Sequence, residues 1–100
     1  MSPLSLQLGI PYAITKLAVN NDQEVTTFSE LLASTASGDC QCAIEIQANA
    51  QRIYLGNGFI KNYGQGGMLA LLEYTEGKRA SGFIVDSSDG LQIVPMVIEP

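Results

Sequence analysis

Apolar and polar residues alternate along two stretches of this 100-residue chain, and the period of two sets the first structural expectations. From Cys40 to Ala48, the residues Cys40, Cys42, Ile44, Ile46 and Ala48 fall on one side, with Gln41, Ala43, Glu45 and Gln47 on the other. That is the signature of a half-buried strand. Leu4, Leu6, Leu8 and Ile10 alternate in the same way with Ser5, Gln7 and Gly9, predicting a strand that stops at Pro11. A second extended segment is expected over Tyr12–Val19, and Asn20-Asn21-Asp22-Gln23 reads as a loop. Thr27-Phe28-Ser29-Glu30 then offers a capping box ahead of Leu31-Leu32-Ala33, so one short helix is expected. Its end is placed near Ala36 or Ser37, with Gly38 available for the left-handed position after the cap.

The second half of the chain reads as strands. Asn49-Ala50-Gln51 is a turn, and Arg52–Tyr63 is a strand pair or one long bent strand interrupted at Gly56-Asn57-Gly58. After Gly64-Gln65-Gly66-Gly67 come Met68–Tyr74, Ala80–Val85 and Leu91–Ile98, divided by Thr75-Glu76-Gly77-Lys78 and by Asp86-Ser87-Ser88-Asp89-Gly90. Met68-Leu69-Ala70-Leu71-Leu72 fits a strand or a short buried helix, because a run apolar on every side carries no period. Pro95 puts the last strand at an edge or beside a bulge. The fold class is therefore α+β in a single domain over residues 1–100. It is an antiparallel meander of about five strands, open or curled to a barrel, with one short helix and an N-terminal β arm. Several strands are apolar on both faces, which one helix cannot cover. Either the sheet curls on itself or a second molecule covers the remainder.

Composition narrows the class of function. The chain is 46% hydrophobic and only 15% charged, which marks a globular domain whose surface is largely uncharged and offers little electrostatic resistance to self-association. The net charge is −5, with five acids and no base between Lys16 and Arg52. Lacking a basic cluster beyond Lys78-Arg79, the chain is poorly equipped to bind nucleic acid. Lys16 interrupts the apolar N-terminal stretch and no basic segment precedes it, so a targeting leader is not expected. No apolar run approaches a membrane span, and the reading is a cytoplasmic protein.

The candidate chemistry is sparse. Two cysteines one residue apart suggest a metal or redox site, but the chain has no histidine and no third cysteine, and both thiols fall on the apolar side of their strand. They read as core residues, too far apart along a strand to bridge, and neither a metal nor any cofactor is expected. Without histidine, nucleophilic catalysis would need an unusual base. Tyr12 and Lys16 have a dehydrogenase-like spacing without its helical, nucleotide-binding context. The pairs Glu73 with Glu76 and Asp86 with Asp89 read as solvated turn acids. The segment from Gly56 to Gly67 holds five of the ten glycines but neither phosphate-loop spacing, so turns and bulges account for it, with Gly58 or Gly67 expected at positive φ. If it binds a small ligand, Asn57, Lys61, Asn62, Tyr63 and Gln65 are the residues to do it.

These features point to a small non-enzymatic interaction protein, a homo-oligomer that also presents a surface to a protein partner, as an inhibitor or an assembly subunit. A small-molecule binding module using the Gly56–Gly67 region is the alternative. Leu91, Ile93, Met96, Val97 and Ile98, on a last strand read as an edge, are the expected interface.

Overall fold

The computed structural model describes residues 6–36, 38, 40–48, 50–64, 67–75 and 78–99, and within the strands positions 48, 51, 53–57, 64, 67–75, 78, 98 and 99 by their backbone alone. In chain order the elements are β1 (Tyr12–Val19), β2 (Gln23–Glu24), α1 (Phe28–Ser34), β3 (Cys40–Ala48), β4 (Gln51–Gly64), β5 (Gly67–Thr75), β6 (Lys78–Ser87) and β7 (Gly90–Glu99). Every pairing is antiparallel, in the order β2-β1-β3-β4-β5-β6-β7. The sheet curls until β7 meets β1, at Tyr12 opposite Ile93 and Ala13 opposite Gln92. Beyond those two pairs the seam parts. There the backbone N–H of Val25 donates to the Leu17 carbonyl at 2.9 Å, and β2 pairs with the end of β1 in place of β7.

Curling gives the sheet an inside. Leu17 and Val19 of β1, Ile44 and Ile46 of β3, Ile60 of β4, Ile84 of β6 and Leu91 and Ile93 of β7 form one buried cluster, joined by Leu6 and Val25. Cys40 and Cys42 belong to it, as the alternation of β3 requires. The seven residues of α1 are too few to hold a helix alone, and Leu31, with no exposed surface, joins α1 to the same core. The capping box is formed as expected. The Thr27 side chain accepts from the Glu30 amide at 3.1 Å, while Glu30 Oε1 accepts from the Thr27 amide at 3.1 Å and from the Thr26 hydroxyl at 2.9 Å. These donors hold the Glu30 carboxyl below its ordinary range, the Thr26 hydroxyl contributing most.

Bulges let such short strands bend into a tight curl. The extra residues are Thr15 in β1, Gly56 and Tyr63 in β4, Tyr74 in β5 and Met96 in β7, each standing where the register skips one position. The Thr15 hydroxyl donates to the Glu45 carbonyl at 3.1 Å, bonding the backbone beside its bulge. Of the two readings of residues 52–63, the single bent strand is the one adopted. Met68–Leu72 is strand, and the Pro95 bulge is the second of its two options.

Four expectations are corrected. Residues 6–10 are not a strand: Gly9 has φ +77°, and the Gln7 amide folds back to the Tyr12 hydroxyl at 2.8 Å, leaving Leu8 and Ile10 exposed. The helix ends at Ser34 with Thr35 as its cap, so Gly38 lies too far on to be the left-handed residue after it, although its φ of +133° is positive. Gly58 is an ordinary ladder residue opposite Cys42 and Leu72, and Gly56 takes the bulge; the glycines at positive φ among the described residues are Gly9, Gly38 and Gly90. Finally, β7 is an edge only in part, because β6 pairs along one side of it while on the other β1 pairs at Ile93 and Gln92 and the Gly9 amide reaches the Pro95 carbonyl.

Candidate interaction face

The same closure that buries one face of β4–β7 leaves the other outside. Register arranges that outer face in rows. Phe59 pairs with Leu71, Leu71 with Ser81 and Ser81 with Val97; in the next row Lys61 pairs with Leu69, Leu69 with Phe83 and Phe83 with Val94. Phe59 (49% exposed), Phe83 (39%) and Val97 (50%) stand in solvent, and Met96 (48%) joins them because the bulge beside Pro95 turns it outward. The Gly9 amide donates to the Pro95 carbonyl at 2.8 Å, so the exposed Leu8 and Ile10 flank the same end of β7. Among the described residues, Leu32 and Tyr63 are the other exposed large apolar side chains. Beyond these rows the exposed Arg79 stands opposite positions 73 and 99 in the ladder. The outer side of β3 is polar by contrast, carrying Gln41, Gln47 and Glu45, with Arg52 Nε 3.9 Å from Glu45 Oε1.

Of the expected interface residues, Met96 and Val97 are exposed, whereas Leu91 (6%) and Ile93 (3%) are inside the core; the Ile98 side chain is outside the described residues. The correction has one cause: strand alternation sends Leu91 and Ile93 inward once β7 is closed between β6 and β1. Phe59 and Phe83 were missed, although each is an aromatic on a strand whose neighbours pack inward.

The residues proposed for a small ligand are not gathered. Asn62 faces inward and its Nδ2 donates to Oγ1 of Thr35 at 3.3 Å, tying β4 to the buried cap of α1. Lys61 lies in the outer apolar rows, and Tyr63 is the extra residue of a bulge opposite β5, largely exposed. Asn57 is opposite Ala43, and Gln65 lies outside the described residues. A groove of about 300 Å³ lined by Gln41, Cys42, Gly58 and Phe59 offers one titratable group, the Cys42 thiol. Burial and then the neighbouring Cys40 push that thiol up to about 12, so it stays protonated and is a poor nucleophile. Among the described residues there is no group of three or more side chains able to hold a metal, and no helix long and apolar enough to cross a membrane. No family model, curated protein or solved structure matches this chain.

Proposed function

We propose that the protein is a non-enzymatic interaction module, assembling with itself and offering a surface to another protein, and that the outer face of β4–β7 is where it docks. The observation that carries this reading is the exposure of Phe59, Phe83, Met96 and Val97 on the outer side of a sheet that has curled around its own core. Exposed aromatic and aliphatic anchors ringed by polar residues are what docking surfaces are built from. Two buried thiols that form no disulfide suit a reducing compartment such as the cytoplasm.

Light scattering coupled to size exclusion tests the reading at micromolar concentration. The unmodified protein should elute at a multiple of its chain mass. Val97→Lys and Phe83→Lys should reduce that mass, because burying an unpaired ammonium costs several kcal/mol. Gln47→Lys, on the polar outer side of β3, should leave it unchanged. Equal loss in all three, or assembly untouched by any, would show that this face is not the docking surface.

A further inference from the structure

We draw no further inference here: the strongest candidate, the outer face of β4–β7 with Phe59, Phe83, Met96 and Val97 in solvent, carries nothing beyond the docking role already proposed for it, because nothing in the structure shows what covers it.

Discussion

At the scale of single residues, the most consequential group is Cys42. Its place on the inner side of β3 removes water from the thiol, and Cys40 beside it adds repulsion to any thiolate, so its pKa rises from an ordinary 9.0 to about 12. Across that window the folded chain keeps a proton that the unfolded chain has released. The folded state therefore binds more protons, and stability falls as pH rises from about 9 to about 12. The expected slope is at most about 1.4 kcal/mol per pH unit. Urea unfolding should show the loss as pH is raised from about 9 toward about 12, and Cys42→Ala should flatten it; parallel curves for the two proteins would place the thiol in water. Alkylation in native buffer should be limited by opening of the fold, as for any buried thiol.

Elements here are joined by close approaches that a pattern of apolar residues does not reveal. Gly82 of β6 pairs with Pro95 beside the Met96 bulge, and a Cβ at that position would sit 2.6 Å from the Val94 carbonyl oxygen and 3.0 Å from Pro95 Cα. Both are backbone atoms and cannot rotate aside. Gly82→Ala should cost about 1–3 kcal/mol, the range for overpacking a well-fitted site, read as a lower midpoint in denaturant with an unchanged slope. A neutral result would mean that β6 and β7 stand farther apart at the bulge. The adjacent position Ser81, half-buried in the outer row, is the natural control.

For the molecule as a whole, stability depends on a seam only two residue pairs long. Tyr12 and Ala13 opposite Ile93 and Gln92 turn a sheet into a closed core, while β2 contributes two residues on the parted side. Hydrogen exchange should divide accordingly. Amides of Ile44, Ile46, Ile84 and Ile93 should exchange only through global unfolding, and those of Gln23 and Glu24 through far easier local opening. Exchange of Ile93 as fast as that of Glu24 would mean that the seam opens independently of the core.

Much of this was legible in the chain, for a physical reason that differs from element to element. Alternation over Cys40–Ala48 reports burial on one face and needs no knowledge of the partner strand, so β3 and its inward cysteines were readable directly. The Thr27–Glu30 box is equally local, because its donors and acceptors lie within one helical turn. The same alternation misled over residues 6–10, Leu4 and Ser5 lying outside the described residues: a strand also needs an edge to pair with, and Gly9 turns the chain at Pro95 before one is reached. The exposed apolar face was hidden for a related reason. In a run apolar on both sides, only the closure of β7 onto β1 decides which side is inside, and that decision sent Leu91 and Ile93 to the core and left Phe59, Phe83, Met96 and Val97 in solvent. Local pattern determined the elements, the helix cap and the class of fold. Which apolar face meets water was settled by a contact between residues some eighty positions apart, Tyr12 and Ile93, which no local pattern encodes.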